Sequence, residues 1–551
     1  MIGLRKYSLF VIIFFLLTQT TAYGLLVSPE TQVEGYFYGS YLGGSGRDDI
    51  RDLILDPDGN MIVLGGTFSP DFPIVDAYQD TFGGGVQPEE PPYYGGDGFV
   101  AMFSAAGELV WSTFLGGSML ENCERGVLVG DEIIVCGVTN SDDLPITGDV
   151  GQVSYGGGLG DAFLAVYSTG GELLRSSYFG GSGADVPDDI IVRGNGDVIM
   201  VGYTDSDDLP VTGDAFQDSL SGEADGFILK LDPQSLEISY LSYFGGSNRD
   251  SIGDIEINPV DGFFLTGNTN SGDFPGTDSL EALPFQSSIT GSERDIFLAR
   301  FNEAFELEYA TYLGGSEMED CFGLAVDSQG SAILSGRTWS PDFPTVDAYQ
   351  PDYSDVEVDG FYTKFSPEGD SLVFSSYLGY NGWDTLNRIC VTSEDSILLA
   401  GMADTSDFPV VSGFQDSKRS GTDIYLLLLE SDGTHLFASY LGGGGMEHPW
   451  DCIIDDGYVY VVAQTASSDM ITSDDAYMSE YAGNTDGYIF RLQLEEYLAK
   501  ADSGENQEED TGSSNYWTSY LVVTVFVVGI FAGWCFFTRK ILNKTKLSTL
   551  M

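Results

Sequence analysis

Seven carboxylates stand at one fixed place in a recurring phrase of this chain, three residues beyond the serine position of Tyr-Leu-Gly-Gly-Ser: Asp48, Glu121, Asp185, Asp250, Glu319, Asp384 and Glu447. Carboxylates crowded together repel one another, and a hard cation such as calcium relieves that repulsion through its preference for oxygen ligands. The same side chain can instead cap the backbone N–H groups of its own loop. Both readings stay open on sequence: a calcium-binding ring, or seven loop caps that serve the fold. Two more acidic sets recur, Asp97, Asp161, Asp225, Asp295, Asp359, Asp423 and Asp486 before an apolar run, and Asp71, Asp143, Asp208, Asp273, Asp342, Asp407 and Asp469 in an Asp-Phe-Pro stretch. Local capping accounts for each set, and the proline fixes an extended exit from the preceding strand.

Signals of catalysis are sparse, so no catalytic residue is assigned and the chain reads as a binding protein more readily than as an enzyme. The chain has only two histidines, His435 and His448, in different repeats, which excludes a Ser-His-Asp triad or a histidine metal cluster repeated over several copies. Its many glycines sit in turns and form no phosphate-cradling motif. Paired carboxylates can hydrolyse glycosidic bonds, but among so many acids proximity alone identifies no pair.

The acids are carried by an internal repeat. Tyr41-Leu42-Gly43-Gly44 returns as Phe114 to Gly117, Tyr178 to Gly181, Tyr243 to Gly246, Tyr312 to Gly315, Tyr377 to Tyr380 and Tyr440 to Gly443, with spacings of 73, 64, 65, 69, 65 and 63 residues. A fixed period means one supersecondary unit copied along the chain. Within the first unit, Ile50 to Leu55, Met61 to Thr67, Gly98 to Phe103 and Leu109 to Leu115 read as short strands separated by turn residues. The third is apolar on both faces, as in a sheet covered on each side by another sheet, and the more polar fourth suits an outer edge.

Such units predict an all-β, seven-bladed β-propeller of four-stranded blades. The first strand, Tyr36 to Leu42, is a fourth strand without its own first three, and Tyr488 to Leu492 is a third strand without a fourth. The N-terminal strand is therefore expected to complete the last blade and close the ring. Because strand direction alternates, the carboxylates, the Asp-Phe-Pro loops and two insertions, Gly83 to Tyr94 and Ser279 to Glu293, would share one face. That loop-rich face is where recognition would be sited.

The residues resemble the SBBP-type propeller repeats. The resemblance lies in Tyr-Leu-Gly-Gly-Ser, in Gly-x-Thr-x-Ser-x-Asp-Phe-Pro (Gly65 to Pro73, Gly336 to Pro344), in Asp-Gly-Phe and in the return to Tyr-Leu-Gly-Gly, over about residues 34 to 492. Local departures are Tyr380-Asn381 for Gly-Ser, Ala403 for Thr and Met470-Ile471 for Phe-Pro. It implies a propeller in a secreted or surface protein and carries over no catalytic residue.

Composition bounds the partners. Of 551 residues, 85 are acidic and 22 basic, a formal charge of −63, so phosphate backbones are repelled and nucleic acid is excluded as a partner. With 42% hydrophobic residues the chain is folded rather than a disordered acidic tail. High salt, calcium binding and plain solubility each account for such acidity.

Both ends carry membrane signals. Residues 1–24 read as a signal peptide, with Arg5 and Lys6 before the apolar run Leu9 to Leu17. Residues 34–493 hold the propeller, 494–516 an acidic stalk, 517–538 one transmembrane helix and 539–551 a short basic cytoplasmic tail. The expected product is a single-pass, cell-surface propeller that binds extracellular protein or glycan partners through its loop face. A hydrolase or lyase on the same scaffold and a structural envelope component are the alternatives. Of the six cysteines, Cys535 falls in the span, no CxxC spacing occurs, and Cys390 and Cys452 fall at nearly equivalent places in consecutive repeats. They are either buried thiols or a bridge between neighbours.

Overall fold

The computed structural model describes residues 37–84, 96–147, 151–277, 284–291, 294–354, 357–495 and 497–498. The signal peptide, most of the stalk, the transmembrane helix and the basic tail lie outside the described residues, as do most of the first insertion and part of the second. Among the described residues no helix is long and apolar enough to cross a membrane.

The described chain holds 28 strands, numbered β1 to β28 in chain order, arranged as seven sheets of four. The first complete blade runs β2 (Asp48–Leu55), β3 (Met61–Thr67), β4 (Asp97–Phe103) and β5 (Leu109–Leu115), each antiparallel to the next. Turns of the Asp-Pro-Asp-Gly type explain the tight hairpins, since Gly59 takes a φ of 78° that a side chain would resist. First strands neighbour one another around the ring and so line the central channel. Fourth strands stand outermost, in agreement with their more polar sequence.

Closure follows the expectation. β1 (Phe37–Leu42) pairs antiparallel with β28 (Asp486–Gln493), in register from Phe37 against Leu492 to Leu42 against Gly487. The seventh blade therefore reads β26-β27-β28-β1 outward from the channel.

The core lies between blades. There are seven apolar clusters, each built from the facing residues of two neighbouring blades. Thus Ile62, Leu64 and Val100 of the first blade meet Ile133, Val135 and Phe163 of the second. Third strands are buried on both faces because each face belongs to a different cluster.

Every first strand carries a β-bulge at the same place, between Ile50 and Asp52, Cys123 and Arg125, Pro187 and Asp189, Ile252 and Asp254, Cys321 and Gly323, Leu386 and Arg388, and Pro449 and Asp451. The extra residue breaks the in-out alternation. Two consecutive side-chain positions per blade, such as Arg51 and Asp52, consequently line channel cavities.

Loops after each second strand fold back over the outer strand. In the first blade Val75 pairs with Ser112, whose hydroxyl donates to the Pro73 carbonyl at 2.6 Å. Phe72 is buried with its ring 4.5 Å from that of Phe99. The tyrosine of the repeated phrase clips this loop: the Tyr243 hydroxyl donates to the Ser206 carbonyl at 2.8 Å and accepts from the Leu209 N–H at 3.1 Å.

A chain beginning at Gly43 lacks β1, and with it the fully buried Tyr38, Tyr41 and Leu42. At about 1.5–3 kcal/mol per large buried side chain, that is a loss of roughly 5–9 kcal/mol, together with an unpaired β28 edge. We expect the truncated protein to melt lower and to form oligomers in light scattering. A monomer with the full-length melting temperature would show that the ring does not depend on this strand.

Candidate functional site

The seven phrase carboxylates begin the first strand of each blade and are essentially inaccessible to solvent, none exposed by more than 1%. In the third blade Asp185 accepts from the Gly181 N–H at 2.7 Å, the Thr204 hydroxyl at 2.5 Å and the Ser206 hydroxyl at 2.8 Å. Asp48 and Asp250 repeat this set, with Gly44, Thr67 and Ser69, and with Gly246, Thr269 and Ser271. The longer Glu121, Glu319 and Glu447 reach equivalent donors, Gly117 and Thr139, Gly315 and Thr338, and Gly443, Thr465 and Ser467. Where Ala403 replaces the threonine, Asp384 takes the N–H groups of Tyr380 and Asp404 at 2.9 and 2.8 Å. Each carboxylate therefore ties the incoming turn to the end of the second strand within its own blade.

Its charged neighbour lies across the blade interface. Asp97 raises the cost of ionising beside Glu121, Asp161 beside Asp185, Asp225 beside Asp250, and Asp295 beside Glu319. Asp359, Asp423 and Asp486 stand likewise to Asp384, Glu447 and Asp48. The first glycine of the phrase separates the two acids: a methyl carbon on Gly43 would stand 2.8 Å from Asp48 Oδ2 and 2.8 Å from Asp486 Oδ1. Only glycine fits there. Five of the third-strand aspartates, Asp97, Asp161, Asp225, Asp295 and Asp423, keep a buried Oδ1 without a hydrogen-bond partner. Burial pushes Asp97 and Asp161 up to about 7 and Asp225, Asp295 and Asp423 up to about 6. It pushes Asp48 up to about 6, and Glu319, Asp384 and Glu447 up to about 7. Among the described residues no three acidic, histidine or cysteine side chains are grouped as the ligands of one metal ion.

The Asp-Phe-Pro aspartates close the same junction from outside. Asp71, Asp143, Asp208, Asp273 and Asp342 accept from the N–H of Ser45, Ser118, Ser182, Ser247 and Ser316 at 2.8–2.9 Å. These bonds hold Asp71, Asp273 and Asp342 below the usual carboxylate range. A glutamine not singled out in the sequence completes the arrangement. Gln217 accepts from the Gly245 N–H at 3.0 Å and donates to Asp225 Oδ2 at 2.6 Å, and Gln415 does the same for Gly442 and Asp423 at 3.2 and 2.8 Å. Its recurrence as Gln79, Gln152, Gln217, Gln286, Gln350 and Gln415 is the signal that identifies it.

Side chains available to a ligand lie where the repeats differ. The bulge position reads Arg51, Glu124, Asp188, Gly253, Phe322, Asn387 and Trp450 around the ring. Near the loop face a cavity of 200 Å³ is lined by Phe322, Arg337, Trp383, Arg388, His448 and Trp450, among others, and by no acid. A neighbouring cavity of 360 Å³ shares Phe322, Arg388 and Trp450 and adds Arg51, Arg125, Arg249 and Arg294 against Glu124 and Asp188. Deeper in the channel the lining turns acidic, with Asp52, Asp189, Asp254, Glu256 and Asp451. Several of those acids hold adjacent blades together, Asp52 accepting from the Gly126 N–H and Asp254 from the Leu324 N–H, both at 2.8 Å.

The mouth is organised by aromatic rings around guanidinium groups. Arg337 lies 5.1, 4.9 and 5.2 Å from the ring centroids of Phe322, Trp339 and Trp383, and pairs with Asp320 at 2.7 Å. Arg51 stacks 3.7 Å over Trp450 and pairs with Asp49 at 2.7 Å. Trp383 remains 39% exposed, so its ring is available to a ligand. The His448 ring lies 4.3 Å from that of Trp450, tilted by 34°, and burial pushes it down to about 4, leaving it neutral at pH 7. His435 stacks instead on Tyr349, at 4.0 Å.

No protein-family model matches the chain and no curated protein does, so the SBBP-type resemblance rests on its motif residues. Among solved structures the chain is similar to a polysaccharide lyase, an ulvan lyase of family PL25 solved with -[GlcA(1-4)Rha3S]- bound, at 11% identity and a TM-score of 0.43 over 81% of this chain and 97% of that one. A gluconolactonase from Xanthomonas campestris is 7% identical, with a TM-score of 0.30 over 84% of this chain and 91% of that one. An acylaminoacyl peptidase from Pyrococcus horikoshii is 8% identical, with a TM-score of 0.35 over 85% of this chain and 54% of that one. Likenesses this distant carry no argument about chemistry.

The interface acids predict an unusual pH dependence. A carboxyl whose folded pKa lies above its unfolded value binds its proton more tightly in the native state, so its stabilising contribution is complete below about pH 4 and is lost as pH rises through 6 to 7. Asp71, Asp273 and Asp342 act oppositely, but only below about pH 4. We expect the melting temperature to be several degrees higher at pH 5 than at pH 8, equally in calcium and in chelator. A calcium-dependent rise confined to pH 8 would assign the cation to these carboxylates instead.

Proposed function

We propose that this chain is a surface-displayed binding module that receives an acidic glycan at the loop-face mouth of its channel. The observation that carries the reading is the convergence of Phe322, Trp383 and Trp450 with Arg337 and Arg388 around an acid-free cavity, in a protein whose formal charge is −63. A cationic spot on a polyanionic surface concentrates its field on one place and leaves negative ligands a single favourable approach. Guanidinium groups bind carboxylates in a fixed, bidentate geometry, and flat aromatic rings supply apolar faces for the ring of a sugar. The cavity lacks the carboxylate pair that glycoside hydrolysis requires, which favours binding over that reaction. Surface display rests on the signal-peptide and anchor segments of the sequence.

Binding is tested by calorimetry against matched neutral and uronate-containing or sulfated oligosaccharides. Arg337→Ala and Trp383→Ala should each weaken acidic-glycan binding by about 10-fold or more, and higher salt should weaken it further. Equal binding of neutral and acidic sugars, or wild-type affinity in both variants, would overturn the reading. Protease added to intact cells should release a large propeller fragment by cutting the stalk, and full protection of the repeats would place the propeller inside.

A further inference from the structure

Of the seven blade interfaces, the one between the sixth and seventh blades sets two cysteines against each other. β22 (Thr385–Val391) and β26 (Glu447–Asp455) are the adjacent inner strands of the sixth and seventh blades. Their register is set by cross-blade bonds: Asn387 Nδ2 meets His448 Nε2 at 3.2 Å, and Arg388 Nε donates to the Trp450 carbonyl at 2.5 Å. Two residues further along, the same register brings Cys390 opposite Cys452. Both side chains line the same channel cavity of 240 Å³, and Cys390 packs against the apolar cluster that contains Cys452. At the equivalent step of the other interfaces stand Ile54 and Gly126, Val127 and Ile190, Ile191 and Ile255, Glu256 and Leu324, Ala325 and Ile389, and Ile453 and Leu53, apolar but for Glu256. A thiol pair thus replaces apolar side chains at one place in the ring.

We propose that Cys390 and Cys452 form a redox-sensitive pair that closes a disulfide between the sixth and seventh blades. Cys390 is only partly buried and meets the channel, so it is the first to react, whereas Cys452 is 3% exposed. The oxidant is a disulfide, either a small one such as oxidised glutathione or that of a dithiol oxidase. The Cys390 thiolate attacks one sulfur of that disulfide, which breaks and releases one thiol. Cys452 then gives its proton to water and attacks the Cys390 sulfur, expelling the second thiol. Two protein thiols become one disulfide, and their two electrons leave on the two thiols of the reduced oxidant. The hydrogen bond with Cys390, and then burial, push the Cys452 thiol well above its ordinary value, which keeps it protonated and leaves the first attack to Cys390.

The remaining described thiols have no such partner geometry. Cys123 and Cys136 belong to different clusters, on opposite faces of the second blade, and Cys321 contacts the carbonyls of Gly323 and Ser335. Because the seventh blade joins the first and last described strands, a covalent tie to its inner strand restrains the blade on which closure depends.

The test uses the full-length protein equilibrated in graded mixtures of reduced and oxidised glutathione, followed by alkylation, peptide mass spectrometry and thermal melting. We expect a peptide linking Cys390 to Cys452, with a rise in melting temperature on the order of 4 °C on oxidation that disappears in Cys390→Ser. Cys452→Ser should instead accumulate glutathione on Cys390. Full alkylation of both cysteines under oxidising conditions, or lasting glutathione on Cys390 of the unmodified protein, would overturn the proposal. The linked peptide is read on the unmodified chain, so the outcome does not depend on either variant folding.

Discussion

A buried carboxylate at the entrance of each blade is the constraint on which the rest of this structure depends. Its oxygens are met by the N–H of a glycine turn and by threonine and serine hydroxyls. Those donors come from two segments that are distant in sequence, so satisfying one carboxylate fixes the course of both. The aspartate that opens the third strand of the preceding blade sits just across the interface, and the repeated glycine exists because nothing larger fits between the two acids. Repetition of a five-residue phrase is in this sense the repetition of one electrostatic problem and its local solution.

The same junction explains why several unrelated residue types recur together. Tyrosine ahead of the glycines clips the loop that returns over the outer strand, glutamine bridges the glycine N–H to the third-strand aspartate, and the exposed aspartate of the loop caps the serine. Each of these side chains covers an edge or satisfies a backbone group that a small sheet cannot satisfy alone. Loops that look free in sequence are therefore largely committed to covering the fourth strands, which leaves the channel mouth as the concave part of the loop face.

Function and fold are separated by position in the repeat. Residues shared by the copies are occupied with each other, whereas those that differ, at the bulge of the inner strand and the end of the second strand, face the channel. Because the bulge turns two consecutive side chains inward, seven similar blades can present an uneven wall, aromatic and cationic on the mouth side of the fifth to seventh blades and acidic below. A chain so rich in acid places several of its few arginines in this one region, Arg51 and Arg337 fixed by rings and carboxylates and Arg388 by backbone carbonyls.

Sequence by itself determined the period, the four strands of each unit, the number of blades and the incomplete ends whose joining closes the ring, because strand alternation and turn chemistry are local and are copied with every repeat. It also marked the carboxylates, the tyrosines and the glycines, although not whether the acids face a cation or the backbone. Only the tertiary structure shows what surrounds them, because the partners are a glycine N–H in the same turn, hydroxyls some 20 residues away and an aspartate from another blade. The mouth was illegible for the opposite reason: Phe322, Arg337, Trp383 and Trp450 belong to no shared motif, and reading along the repeat draws attention away from them. Their convergence arises from ring closure and from a bulge that no propensity announces, and so it exists only once the blades are packed side by side.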